Sequence, residues 1–437
     1  MTIPVAIVGA GQAGLSVSHH LTRLGVEHVL LEEKTPAHEW RDSRWENFTL
    51  VTPNWHCRLP GYAYEGPDPD GFMKRDEVVA WLDGYVASFD PPVRSHTRVV
   101  ELREREGGGF VLDLEGPGGG SGPRAENEHG TEALEADHVV VATGGYHRPI
   151  EPAYARAVDP SVTQIHSQQY RDADQLPEGA VLVVGTGQSG AQIAEDLHLE
   201  GRQVHLALGN APRVARFHRG RDCMTWLADM GLYDTGVQQY PGGLAAREKT
   251  NHYVTGRDGG RDIDLRQFAL EGMRLYGSLQ DAQGTDLTFA PTLTASLDAA
   301  DAVYRSIRSD IDRFIEAEGI DAPPEPEYVA PWHPQEDPTS LDLAAEGITS
   351  IVWAIGYRPD YRWLRVGVFD GQGRPTHTRG VTAVPGLYFV GLPWMHTWGS
   401  GRFHGIARDA GHVADCIVGE AGRPAGQGAL PGLGASA

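Results

Sequence analysis

The stretch Gly9-Ala-Gly-Gln-Ala-Gly14, set directly behind the apolar run Pro4 to Val8, constrains this chain more than any other. Val5, Ile7 and Val8 read as the first buried strand of a parallel sheet. Gly9, Gly11 and Gly14 then stand at the spacing of a dinucleotide-binding turn. The first glycine permits the tight turn, the second lets a pyrophosphate reach the backbone, and the third lets the next helix pack close to the strand. Gln12 and Ala13 complete the loop. Val17, Leu21 and Leu24 recur at helical spacing until Gly25, so the anion would rest on that helix's N-terminal amides. A second strand, His28 to Leu31, ends at Glu32, eighteen residues past Gly14. An acid there accepts hydrogen bonds from ribose hydroxyls.

Val181-Leu-Val-Val-Gly-Thr-Gly-Gln-Ser-Gly190 repeats this arrangement, with glycines at 185, 187 and 190 followed by Gln188 and Ser189 within the loop. Its helix carries Ile193 and Leu197, stops at Gly201, and leads to a strand over 203–208. The residue eighteen past Gly190 is Leu208, so no acid stands where one would meet a 2'-hydroxyl. Arg213 and Arg216 follow, and a planar guanidinium there suits the 2'-phosphate of NADP. A solvated basic patch is the plainer reading of these two arginines.

Between and beyond the loops, residues 40–60 are irregular and aromatic, which suits either a lining for a flat ring system or an anchored loop. Helices are expected over 77–89, 265–276, 299–318 and 404–418, and a hairpin over 99–102 and 110–114. The glycine-rich run 116–132 reads as a surface excursion, and the polar run 250–262 as a loop over a site or a plain surface loop. Buried strands are expected to end at Thr143-Gly144, at Gly356 and at Gly391. The Gly/Ala/Pro-rich tail 421–437 reads as disordered.

Composition narrows the class. With 37 basic against 59 acidic side chains the net charge is -22, which disfavours nucleic acid or an anionic membrane as partner. Cys57, Cys223 and Cys416 lie far apart and form no C-x-x-C pair, so neither a disulfide framework nor a metal site is expected. Met1 leads straight into a strand, and no run of about twenty apolar residues occurs. A cytoplasmic protein is expected, with a homodimer left open.

With both loops, Ala142-Thr-Gly144 and Ala354-Ile-Gly356 in this order, the chain resembles the class B flavin monooxygenases, and more closely a group of flavin-dependent oxidoreductases without an assigned substrate. Trp40, Pro53, Cys57, Leu59 and Pro60 resemble the segment after the first loop of YUCCA enzymes. Ile165-His-Ser-Gln-Gln-Tyr170 resembles the end of the family fingerprint, although Pro160 and Val162 stand where that fingerprint has phenylalanine and glycine. The resemblance implies an α/β fold with two Rossmann-like dinucleotide-binding domains: an FAD domain over 1–155 and 335–420, interrupted by an NADPH domain over 156–334. FAD would lie on Gly9 to Gly14 with Glu32 at its ribose, and Trp40, Arg41, Thr143, Gly144 and Gly391 around it. NADPH would lie on Gly185 to Gly190 with Arg213 or Arg216 at its phosphate. Asn54, Thr52 and His166 are the candidates for contact with the reacting groups.

The implied activity consumes NADPH and O2 and inserts one oxygen atom into a small organic substrate through a C4a-(hydro)peroxyflavin, by N-oxygenation of an amine or oxidation of an aromatic or keto-acid compound. A flavin dehydrogenase or oxidase is the alternative, and an idle FAD-binding redox sensor a second. A disulfide reductase would share the two-site plan but needs a cysteine pair by the flavin.

Overall fold

A computed structural model describes residues 2–116 and 132–421. The expected excursion and tail fall for the most part outside these residues. In chain order the principal elements are β1 (Thr2–Val8), α1 (Gln12–Arg23), β2 (His28–Leu31), α2 (Arg75–Phe89), β3 (Val93–Arg94), β4 (Arg98–Glu104), β5 (Phe110–Glu115), β6 (Glu132–Val141) and β7 (Arg148–Pro149). There follow β8 (Thr163–His166), β9 (Ala180–Val184), α3 (Gln188–Leu199), β10 (Val204–Ala207), α4 (Leu265–Leu270), β11 (Arg274–Tyr276), α5 (Leu293–Glu318), β12 (Ile348–Trp353), β13 (Tyr357–Arg358), β14 (Leu387–Phe389) and α6 (Ile406–Ala421).

Two sheets carry the fold. The first runs β3-β2-β1-β6-β5-β4, with β14 also paired to β6. Its β3-β2-β1-β6 part is parallel, and β5 and β4 add an antiparallel hairpin. The long β6 shares one edge between two partners: residues 132–136 face the hairpin, and Val139 to Val141 face β14. The second sheet runs β8-β12-β9-β10-β11 and is parallel throughout. Val5, Ile7, Val181 and Val183 are fully buried, as strands covered on both faces require.

Two expectations need correction. β12 lies inside the second sheet, between β8 and β9, so the first domain does not resume at 335. The chain returns only after β13, which pairs antiparallel with β7 to make a two-stranded joint between the sheets. Pairing decides this, because an apolar strand such as Ile348–Trp353 carries no mark of which sheet it joins. The helix expected over 265–276 ends at Leu270. Gly272, at a positive φ of 106°, turns the chain into β11 on the edge of the second sheet.

Candidate functional site

The two glycine loops have the same backbone. The amide of Gly9 donates to Leu31 O at 2.8 Å, and that of Gly185 donates to Ala207 O at 2.9 Å. The strand ends beside them match as well: Ala142 N donates to Val8 O at 2.9 Å and Ala354 N to Val184 O at 2.9 Å. Gly9 and Gly185 sit at φ of 102° and 103°, and a Cβ on either would strike the carbonyl oxygen of Ala142 or Ala354. A Cβ on Gly14 would lie 1.9 Å from Gly9 O, and one on Gly190 2.0 Å from Gly185 O. Only glycine closes these turns.

The middle glycines differ from these in the way a ligand site demands. A Cβ on Gly11 or on Gly187 would meet nothing within 4 Å. Each caps a helix with no side-chain bond and no acid in its first turn. The first-turn amides of α1 and α3 are therefore left to an external anion, with the helix dipole in its favour. Ser189 is exposed in that first turn. A dinucleotide pyrophosphate fits both cradles.

Around the first loop the carboxylate of Glu32 accepts from Ala10 N at 2.8 Å and Lys34 N at 2.9 Å. It keeps lone pairs for further donors. Gln12 ties the loop to its surroundings, donating to Gly401 O at 3.0 Å and accepting from Trp40 Nε1 at 3.2 Å. Trp40 also stacks on Phe403 at 5.0 Å. Gly391 comes so close to α1 that a Cβ would lie 2.6 Å from that of Ala13. Thr143 Oγ1 is buried without a partner, while Gly144 O accepts from Tyr361 at 3.0 Å. Arg41 is spent in an ion pair with Asp83 at 2.7 Å.

At the second loop the expected phosphate ligands are elsewhere. Arg213 is 2% exposed, 2.9 Å from Asp301 and 3.2 Å from Asp264, and sandwiched by Tyr304 and Tyr328. Burial opposes its charge, but the two carboxylates outweigh that and hold its pKa above the ordinary value. Arg216 is 0% exposed, pairs with Asp222 at 2.5 Å and donates to Val51 O at 2.7 Å. A side chain that grips a phosphate must show surface when the phosphate is not there, and neither does. Both arginines hold the interior together instead. Where Glu32 has its counterpart, Thr186 Oγ1 accepts from Gly209 N at 3.0 Å.

The three candidates for the reacting centre are mostly structural. Asn54 is buried, donating to Asp68 O at 2.9 Å and accepting from Met73 N at 2.7 Å, so both ends of its amide are satisfied by backbone. His166 accepts from Gln168 N at Nδ1 and stands 3.2 Å from Gly356 O at Nε2. Those contacts fit one neutral tautomer, and burial lowers its pKa. Thr52 is half-buried.

The structure also brings together groups that the sequence did not single out. His56 lies 3.9 Å from Trp55, 4.6 Å from His404 and 5.3 Å from Tyr233, centroid to centroid. Burial, with His404, Arg58 and Arg216 nearby, pushes its pKa down to about 3. Next in sequence, Cys57 is a free thiol whose pKa burial pushes up to about 12, which makes it a poor nucleophile. The 250–262 run straps α3: Arg257 pairs with Asp196 and Glu200, Arg261 pairs with Glu195 at 3.0 Å, and Val254 O accepts from Gln188 at 2.6 Å. A hint of this lay in the acids Glu195 and Asp196 on a helix that must pack against a sheet. Among the described residues no cluster of three or more metal-ligating side chains occurs, and no helix is long and apolar enough to cross a membrane.

Comparison with known proteins agrees with this geometry. An uncharacterized CzcO-like oxidoreductase of Geobacillus kaustophilus is 28% identical over 95% of this chain and 98% of its own length. A probable indole-3-pyruvate monooxygenase of Arabidopsis thaliana, YUCCA3, is 27% identical over 51% of this chain and 53% of its own. Among solved structures, a flavin-containing monooxygenase from Stenotrophomonas maltophilia shares the fold, with a TM-score of 0.63 at 18% identity, covering 96% of this chain and 99% of that one. The resemblance read from the two loops and the strand ends thus holds. Residues 6–227, half of the chain, match the family described as pyridine nucleotide-disulphide oxidoreductases, and the protein belongs to that family of oxidoreductases.

Proposed function

We propose that the chain holds FAD on Gly9 to Gly14 and NADPH on Gly185 to Gly190, and inserts one atom of O2 into a small organic substrate. The observation that supports this reading most is the pair of matched cradles, both open at the middle glycine. The strand ends beside them, at Gly144 and Gly356, run into the same β7-β13 joint. Bound FAD would supply the oxygen chemistry, with NADPH as its reductant.

The protein's own residues bind, orient and exclude water. First-turn amides of α1 and α3 hold the two pyrophosphates, and the remaining lone pairs of Glu32 take ribose hydroxyls. Gln12 fixes the first loop to Gly401 and Trp40, and Gln188 fixes the second to Val254. Positioning of this kind contributes without an acid-base triad. The three cysteines are free, and those at 57 and 223 are buried, which favours oxygen transfer over the dithiol exchange that the family's name describes.

The test is to reduce the flavin-loaded protein with NADPH under nitrogen and mix it with oxygenated buffer in a stopped-flow spectrometer. A transient near-ultraviolet band belonging to neither reduced nor oxidised flavin supports the monooxygenase. Immediate return to oxidised flavin with release of peroxide, unchanged by any substrate, supports the oxidase alternative instead.

A further inference from the structure

Backbone hydrogen bonds fix which residue of the second unit corresponds to Glu32. Gly9 N donates to Leu31 O as Gly185 N does to Ala207 O, and on the next residue Glu32 N donates to Arg94 O at 3.0 Å as Leu208 N does to Tyr276 O at 3.0 Å. Leu208 therefore stands where the adenosine ribose of a nucleotide on Gly185 to Gly190 would lie. It is apolar and 3% exposed, so it takes neither a hydroxyl nor a phosphate. The chain beyond it, Gly209-Asn210, is held against the loop by the bond from Gly209 N to Thr186 Oγ1. A 2'-phosphate in this place needs a cation, and Arg213 and Arg216 are spent in the interior.

The run that straps α3 brings one. Arg213 and Tyr253 form a parallel bridge, Tyr253 N donates to Pro212 O at 2.9 Å, and Val254 O accepts from Gln188 at the start of α3. Because the bridge is parallel, the chain upstream of Tyr253 runs alongside the chain upstream of Arg213. Four residues back on the two sides stand Lys249 and Gly209. Lys249 is exposed, and its ammonium has no carboxylate or hydrogen-bond partner among the described residues. The two arginines of the same run are already paired, with Asp196, Glu200 and Glu195. Asn251 Oδ1 accepts from Arg402 at 2.9 Å, which ties down the chain just past the lysine. His252 adds no charge at neutral pH, because burial, with Lys249 nearby, lowers its pKa to about 4. A lysine meets a phosphate as a point charge on a flexible stem. Unlike the two buried arginines, Lys249 shows its surface when no phosphate is there.

We infer that Lys249 recognises the 2'-phosphate of NADPH, so that the choice between the two nicotinamide nucleotides is made by the run crossing α3 and not by the residues that directly follow β10. This rests on the reading of the second loop as the NADPH site, but it is tested by binding alone, without turnover.

Isothermal titration of the flavin-loaded protein with NADP+ and NAD+ measures it. The wild type should bind NADP+ about tenfold more tightly than NAD+ at low salt, and the difference should shrink as ionic strength rises, since the pair is exposed to solvent. Lys249→Gln should lose about tenfold in NADP+ affinity, leave NAD+ affinity unchanged and melt with the wild type. Lys249→Arg keeps the charge and should recover most of the loss. Equal weakening of both nucleotides, unchanged NADP+ affinity in Lys249→Gln, or a wild type that does not distinguish the two nucleotides overturns the proposal while leaving the nucleotide site in place. A wild type that binds neither nucleotide overturns the reading of the second loop, and this assignment with it.

Discussion

The first and second glycine loops match in chemistry through their last glycine and the helix that follows, and diverge only past the second strand. A Cβ on Gly9 or Gly14 would strike the corresponding backbone oxygens to one on Gly185 or Gly190, and one on Gly11 or Gly187 would meet nothing. Past the second strand, the first has Glu32, which ties its carboxylate to the loop backbone. The second has Leu208 and Gly209 there, and the arginines that follow, Arg213 and Arg216, turn inward to Asp222, Asp264 and Asp301. A turn that admits only glycine is set by local sterics, so spacing reveals it. A cation's role depends on which carboxylates the fold brings to it, and spacing is silent on that.

Filling one cradle at a time separates the two loops most clearly. Valine at Gly11 or Gly187 projects into open space, so the fold should survive while the pyrophosphate is displaced. Gly11→Val should purify colourless, whereas Gly187→Val should stay yellow and lose nicotinamide nucleotide binding. Flavin absorbance and an NADP+ titration check both, and a yellow Gly11→Val protein contradicts the first assignment.

The arginines sharpen the contrast further. Arg216→Ala leaves Asp222 buried and unpaired, and should cost about 3–5 kcal/mol of stability in urea melts. The ratio of NADP+ to NAD+ affinity should not change. A selective loss of NADP+ affinity with stability intact would restore the phosphate role.

A smaller effect falls on the second sheet through His205 in β10. Burial, with Arg274 nearby, lowers its pKa to about 4, below the unfolded value of about 6.5. The unfolded chain therefore binds the proton first on acidification. This contribution to stability is complete above pH 6.5 and is lost as pH falls toward 4, at up to about 1.4 kcal/mol per pH unit. Urea melts between pH 7 and 5 should show a shallower decline in His205→Gln than in the wild type. Smallest of all, Glu32→Gln removes the charge that ribose hydroxyls would meet and should weaken FAD retention by about tenfold, measured by flavin release on dilution.

These differences also explain what could be read from the sequence. Both loops, Glu32 and the strand ends at Thr143, Gly356 and Gly391 were legible because each is fixed by a few neighbouring residues. The assignment of Ile348–Trp353 to the second sheet was not, since buried parallel strands look alike and only pairing tells them apart. Asn54's backbone partners at Asp68 and Met73 were not legible either, because they come from a chain reversal that no local pattern announces. His56 and His404, separated by most of the chain, meet only in the fold.

On the proposed function, NADPH at the second loop would reduce a flavin held on the first. Anaerobic mixing of flavin-loaded Gly187→Val with NADPH tests it most directly. The wild type should bleach, and the variant should stay yellow with NADPH yet bleach with dithionite. Bleaching of the variant by NADPH at the wild-type rate would contradict it.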